Sequence, residues 1–284
     1  MSAAIIIPAH NEEAVIGRLL GALRELAAKE GAKVIVVCNG CTDRTAEVAR
    51  SILGVQVIET EVASKSNALN LGDRAATGFP RFYIDADIQV GSDAIARVAA
   101  VLESGDTLAA APEMRIDTAG RPWTVLAFFQ VWQQLPYTND AMVGSGFYAL
   151  SEAGRARFKE FPPITSDDGY VRLLFAAHER KTVKGCHFTI RAPMTLAGLI
   201  KIKTRAHFGN IELKARFPEL CRNENADPKG ALLRLAVNPL WWPAIGVYVL
   251  VRLVARSRAR QRWLHGDHKK WERDETSRRV AAKA

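Results

Sequence analysis

The sequence predicts an α/β protein built on a mostly parallel, doubly wound sheet flanked by helices. Three observations point there. Strand-like and helix-period segments alternate through the first part of the chain; the first run, Ala3-Ala-Ile-Ile-Ile7, is apolar at every position; and the runs stop abruptly in polar clusters. Ligands of such sheets bind beyond the carboxyl ends of the strands, so three polar clusters on one rim favour a site over three separate helix caps.

The elements follow in order. Ala3 to Pro8 reads as a buried strand, and Glu12 to Lys29 carries Val15, Leu19, Leu20, Leu23 and Leu26 at helical spacing. Lys33 to Cys38 is a second β-branched run, which completes a βαβ start. Asp43 opens a helix through Arg50, Val55 to Glu59 is a strand, Lys65 to Ala76 a helix, and Phe82 to Ile84 leads to Asp85 and Asp87, with another helix beginning near Ser92. The later part is less regular. Pro122 to Gln134 reads as a helix, Gly144 to Leu150 as a tight turn into a strand, and Asp168 to Ala177 as a helix with Val171, Leu173, Leu174 and Phe175 for burial. The polar, turn-rich stretch from Asn223 to Gly230 is the clearest linker, so the expected units are residues 1–225 and 226–284.

Composition bounds the rest. With 284 residues, nearly half hydrophobic, the chain can bury a sizeable core and is not a disordered protein. The N-terminus enters its first strand without a basic region, apolar stretch and cleavage site, so a cytoplasmic location is expected. Four cysteines fit that compartment as free thiols, although Cys38-Asn-Gly-Cys41 is a CxxC with redox and zinc alternatives. The net charge of +9 is largely a C-terminal property, concentrated between Arg252 and Arg279.

The pair Asp85 and Asp87 is the most informative feature. Side chains at i and i+2 of an extended segment share a face, so both carboxylates would reach one hard cation whose other ligands are water and phosphate oxygens. The alternative is that they cap the helix near Ser92. No G-x-G-x-x-G follows the first strand and no P-loop occurs, which sets dinucleotide-binding and P-loop sheets aside.

With these clusters in order, the chain resembles the family 2 glycosyltransferases, inverting enzymes of the GT-A fold that use nucleotide sugars. The matching pieces are Ile5-Ile-Ile-Pro-Ala-His-Asn-Glu12, Cys38-Asn-Gly-Cys-Thr-Asp43, Lys65-Ser-Asn-Ala-Leu-Asn70, Asp85-Ala-Asp87, Gly144-Ser-Gly146 and Ser166-Asp-Asp168, covering about residues 3 to 215. The resemblance implies that Pro8, His10 and Glu12 shape the base and ribose pocket, with Asn39 and Asp43 nearby and Lys65 at the nucleotide or its phosphates. It implies Asp87 as a ligand of Mg2+ or Mn2+, with Asp85 on ribose or metal. Asp168 then carries the general-base role, with Asp167 as a supporting residue or acceptor contact. Gly144, Ser145 and Gly146 would approach the donor sugar or acceptor, and Arg205 and His207 would touch the diphosphate.

Two departures matter. Family members commonly carry a carboxylate where this chain has Asn39, so UDP, GDP and dTDP sugars all remain open as donors. The Gln-x-x-Arg-Trp motif of processive synthases does not follow Asp168; Gln261-Arg-Trp263 comes too late and lacks the spacing.

The C-terminal part is expected to be a helical appendage lying on a membrane. Its clean apolar stretch, Pro239 to Val251, is shorter than the roughly 20 residues a bilayer span requires. Trp241 and Trp242 suit a headgroup interface, and Arg252, Arg256 and Arg260 recur at helical spacing beside Val249, Leu250, Leu253 and Val254. These features imply an anionic lipid surface at the inner face of the cell membrane and a lipid-linked or envelope-glycan acceptor; packing on the sheet domain or a dimer interface is the alternative. Nucleic acid is set aside, because the aromatics sit in an apolar run and not among the basic residues. Two other functions compete: a nucleotidyltransferase making sugar nucleotides, and a non-catalytic membrane adaptor with a degenerate nucleotide site.

Overall fold

The computed structural model describes residues 3–91, 93–138, 146–223 and 229–266. Gly144 and Ser145, the linker position at 225 and 226, Ser92, and the basic tail from 267 onward lie outside the described residues.

Among the described residues eight strands form one sheet: β1 (Ala4–Ala9), β2 (Lys33–Asn39), β3 (Val55–Thr60), β4 (Arg81–Ile84), β5 (Gln89–Val90), β6 (Ala109–Asp117), β7 (Phe147–Leu150) and β8 (Arg180–Arg191). Their spatial order is β3-β2-β1-β4-β7-β6-β8-β5. The first four pair in parallel, as the alternating pattern predicts. The mostly parallel expectation fails beyond β4. There β7 runs antiparallel to both β4 and β6, and β5 antiparallel to β8, so the sheet is mixed.

The helices are α1 (Ile16–Glu30), α2 (Thr45–Arg50), α3 (Lys65–Ala75), α4 (Ala94–Glu103), α5 (Trp123–Gln133), α6 (Glu152–Arg155), α7 (Asp167–Leu173), α8 (Leu196–Arg216), α9 (Lys229–Ala236) and α10 (Trp242–Leu264). Strand residues alternate between two cores, as the period of two demands. Ile5, Ile7, Val34 and Val36 meet Leu19, Leu20 and Leu23 of α1 and Ile95 and Val98 of α4. Ala4, Ile6, Ile35 and Val37 meet Ala68 and Leu69 of α3 and Tyr170 and Val171 of α7. A third apolar cluster joins Phe128 and Trp132 of α5, Leu199 of α8, Ala231 of α9, and Tyr248 and Val251 of α10. The C-terminal helices therefore share a core with α5 and α8.

Two long strands, β6 and β8, escape the sequence reading. β6 begins Ala109-Ala-Ala-Pro, which lacks the β-branched residues that signal a strand, and it is extended because β7 and β8 bury it. Its register with β8 shifts between Pro112 and Glu113, where proline can donate no ladder hydrogen bond. Expected helix limits also move: the helix after Asp43 begins at Thr45, and the one from Asp168 ends at Leu173.

A buried carboxylate braces the second core. Asp73 of α3 accepts from Arg81 Nη1 at 2.6 Å, Tyr83 Oη at 2.7 Å and Arg155 Nε at 2.6 Å, which ties α3, β4 and α6 together. Every lone pair so used offsets the desolvation of a charge held inside the protein.

Candidate active site

The loops after β1 and β2 are stitched into one wall. Asn11 adopts φ of +52°, a left-handed conformation that asparagine tolerates, and its side chain bonds Thr42. Glu12 N donates to Thr45 Oγ1 at 2.7 Å, Glu13 N to Asp43 Oδ2 at 3.2 Å, and Arg44 N to Glu13 Oε2 at 2.9 Å. Burial alone would raise the Asp43 pKa, but hydrogen bonds from Thr45 and Glu13 outweigh it and hold this carboxyl below its ordinary value.

Of the residues expected at the base and ribose, His10 Nδ1 lies 2.6 Å from Asn39 O, and Asn39 Nδ2 donates to Ala9 O at 2.8 Å. Asn39 is thus buried and partly committed to joining the strand ends. Pro8 is buried within β1, opposite Val37, and Glu12 is buried behind the first loop. Cys38 and Cys41 are free thiols. A hydrogen bond with Cys38 lowers Cys41 to about 6, and Cys41 Sγ lies 3.5 Å from both Asn11 N and Ala9 O.

The centre of the site is Lys65. Ser64 caps α3 by accepting from Asn67 N at 3.3 Å, which sets Lys65 as the first helical residue. Its Nζ lies 2.8 Å from Asp85 Oδ1 and 3.2 Å from Asp167 Oδ2. Burial would lower the Lys65 pKa, yet Asp167, Asp85 and Asp168 together push it above the normal lysine range. Asp167 is itself raised to about 6, by burial first, against the attraction of Lys65 and with repulsion from Asp168 and Asp85 adding to it. Asp168 is half-buried, and its Oδ1 accepts from Gly169 N at 2.7 Å and Ser166 Oγ at 3.1 Å.

The Asp85-Ala-Asp87 geometry corrects an expectation. β4 ends at Ile84 and the chain turns at Ala86 and Asp87, so the two carboxylates do not share a face of one extended strand. Asp85 turns to Lys65, while Asp87 lies within charge reach of Arg18, which also feels Arg191. Gly146 holds Asp85 in place: its carbonyl accepts from Asp85 N at 2.7 Å, its φ is +92°, and a Cβ there would stand 2.8 Å from Asp85 Oδ2.

α8 closes the acid pair from behind. Glu212 Oε2 accepts from Thr165 N at 2.8 Å, and Gly209 packs so tightly that a Cβ would lie 2.8 Å from Ser166 Cβ. The two expected phosphate contacts on this helix differ in what surrounds them. Arg205 is half-buried, one helical turn before Gly209, whereas His207 lies among Lys203, Arg252 and Arg256.

Sequence reasoning missed Arg18, Arg191 and Tyr148. The Tyr148 hydroxyl is buried, has no hydrogen-bond partner among the described residues, and its pKa is raised by burial and by Asp167. None of the three belongs to a spaced motif; the packing of α1, β7 and β8 brings them in.

The family model for Glycosyl transferase family 2 matches residues 4–153. No curated protein matches the chain. Among solved structures it is similar to mannosyltransferase PcManGT from Pyrobaculum calidifontis, in complex with GDP-Man and Mn2+, at TM-score 0.60 and 20% identity over 95% of this chain and 76% of that one. TarS 1-349 from S. aureus, in complex with UDP, is similar at TM-score 0.52 and 13% identity over 97% and 95% of the two chains. Glucosyl-3-phosphoglycerate synthase from Mycobacterium tuberculosis, with Mn2+, UDP-Glc and phosphoglyceric acid, is similar at TM-score 0.53 and 16% identity over 79% and 81%. These likenesses are of fold.

Proposed function

The chain belongs to glycosyl transferase family 2, and from that premise we propose that it moves one sugar from a nucleoside-diphosphate donor to an acceptor hydroxyl by a single, inverting displacement. The observation that carries this reading is the position of Lys65. One ammonium ties Asp85, at the strand end suited to the diphosphate, to Asp167 of the acid pair suited to the acceptor.

In this reading the wall of Pro8, His10, Glu12, Asn39 and Asp43 receives the nucleoside of a UDP, GDP or dTDP sugar. Lys65 offers its ammonium to the diphosphate. Both hydrogen bonds to Asp168 land on Oδ1, so Oδ2 accepts the proton of the acceptor hydroxyl as that oxygen bonds the anomeric carbon and the bond to the diphosphate breaks. Asp167, deeper and on Lys65, keeps the base in position and contributes negative charge behind it.

Asp85 and Asp87 supply oxygen donors only, and among the described residues no three His, Cys, Asp or Glu side chains gather into a metal-holding group. That donor set suits Mg2+ or Mn2+, which fill their remaining positions with water and phosphate oxygens. Such an ion would offset the negative charge growing on the departing diphosphate.

We place the acceptor on a lipid or envelope glycan at the cytoplasmic face of the membrane. Leu233 of α9, Val237 and Leu240 in the connection, and Trp242, Leu250 and Leu253 of α10 are exposed, on the segment that also carries Arg252, Arg256 and Arg260. No single described helix is long and apolar enough to cross a membrane; the bent pair Gly230–Ala236 and Pro239–Leu264, turned by 110°, passes that test only in combination.

The test is nucleotide release from a panel of UDP, GDP and dTDP sugars with Mn2+. Asp168→Asn should lower kcat by about a thousandfold while calorimetry shows donor binding retained. Undiminished turnover in that variant would remove Asp168 from the chemistry.

A further inference from the structure

The helical layer holds a second charged cluster, of the opposite sign. Lys203 and His207 sit one turn apart on α8, facing Arg252 and Arg256, one turn apart on α10. No carboxylate pairs with any of the four among the described residues. The reason lies in the sequence: there is no Asp or Glu between Leu196 and Ile211, nor anywhere in α5, α9 or α10.

What holds the lysine is aromatic. Its Nζ stands 5.2 Å from the ring centre of Phe128, 5.6 Å from Phe129 and 4.7 Å from Trp132. Arg252 Nη1 donates to the Tyr248 hydroxyl at 2.5 Å, and Tyr248 stacks on Phe128. Burial first, and then Arg252, lowers Lys203 to about 8; His207 is pushed down to about 4 by burial and by Arg252, Arg256 and Lys203. Lys203, Arg252 and Arg256, gathered in a low dielectric beside a His207 ring kept neutral, leave a positive field that no carboxylate among the described residues offsets.

Two further features narrow the ligand. The exposed apolar side chains Trp242, Leu250 and Leu253 lie on the same helix as the two arginines. Lys203 is six residues from Gly209, about 9 Å along α8 from the point where that helix touches Ser166 beside the acid pair. An anion that carries an apolar tail would satisfy both surfaces at once.

We propose that Lys203, His207, Arg252 and Arg256 form a binding site for the phosphomonoester headgroup of a membrane lipid. It rests on the proposed glycosyltransfer to a lipid-borne acceptor, for which it is the anchor on the acceptor side. A phosphomonoester dianion matches several converging cations better than the single charge of a phosphodiester.

Equilibrium partition onto phosphatidylcholine vesicles tests this, with phosphatidic acid in one set and phosphatidylglycerol at matched surface charge in the other. The wild-type protein should prefer phosphatidic acid by roughly tenfold, and Arg252→Gln should cut the preference several-fold. Arg256 is exposed, so Arg256→Gln should fold, and it should show the same loss with an unchanged circular dichroism spectrum. Equal partition onto the two vesicles, or an unchanged preference in folded Arg256→Gln, overturns the site. Calorimetric binding of inorganic phosphate as tight as binding to phosphatidic acid also overturns it, in favour of a free anion. Nucleotide-sugar binding, measured in parallel, separates the two ideas. Its absence with the lipid preference intact would end the glycosyltransfer reading and leave the lipid site standing.

Discussion

Two lysines, each half-buried and each inside a cluster of charge, sit in opposite circumstances. Lys65 at the sheet rim lies against Asp85 and Asp167, and its proton is held more tightly than in water. Lys203 in the helical layer lies against three aromatic rings and Arg252, and its proton is held less tightly. The first cluster carries its own counter-charge and is preorganised before any ligand arrives. Apolar packing holds the second together against its electrostatics, and among the described residues no carboxylate completes it.

The same substitution at the two lysines should therefore act with opposite sign. Lys65→Met leaves Asp85 and Asp167 without their shared cation, and urea unfolding should show a loss of about 3 kcal/mol together with loss of turnover. Stability within error of wild type would mean that the rim carboxylates do not depend on Lys65. Gly146→Ala forces a side chain into a backbone at φ +92° and toward Asp85, so about 2 kcal/mol should be lost, with a lower kcat from a displaced carboxylate. If turnover survives, Asp85 is not needed where it stands. Lys203→Met, by contrast, replaces an uncompensated cation with an apolar chain of similar length, and thermal unfolding should show a gain of about 1 kcal/mol. A loss instead would mean that the aromatic contacts outweigh the repulsion.

The smallest effect is a slope. Lys203 titrates near 8 in the folded protein against an ordinary 10.5, so between those values the unfolded chain binds the proton more tightly. Folding stability should rise with pH through that window as the folded lysine turns neutral among Arg252, Arg256, His207 and the rings of α5. Lys203→Met should flatten this component, and an identical slope in both proteins would assign it elsewhere.

Much of the rim was legible because its signals are local. A β-branched run followed by a polar cluster marks a strand end whatever surrounds it, and so Pro8 to Glu12, Asn39 to Asp43 and Asp85 to Asp87 were placed correctly at the ends of β1, β2 and β4. The relation between Asp85 and Asp87 was not legible, since a strand that stops one residue early replaces a shared face with a turn. Nor was His207, whose helix position says nothing of α10 until the two helices pack. β6 was missed for a similar reason, because burial between neighbours far away in the chain extends its Ala-Ala-Ala-Pro start against weak local preference, whereas β8, with Thr182, Val183, Phe188, Thr189 and Ile190, carries strand-favouring residues on either side of Gly185.

By itself, then, the sequence determined the parallel half of the sheet, the order of its polar strand ends, and an absence of acids through α5, α9, α10 and most of α8. Only the tertiary structure decided that Lys65 would bridge Asp85 to Asp167, that β7 would run against its neighbours, and that Lys203 and His207 would face Arg252 and Arg256. The physical reason is range. Backbone preference and hydrophobic period act over a few residues, whereas charges separated by tens of residues acquire their neighbours, and hence their chemistry, from how the elements pack.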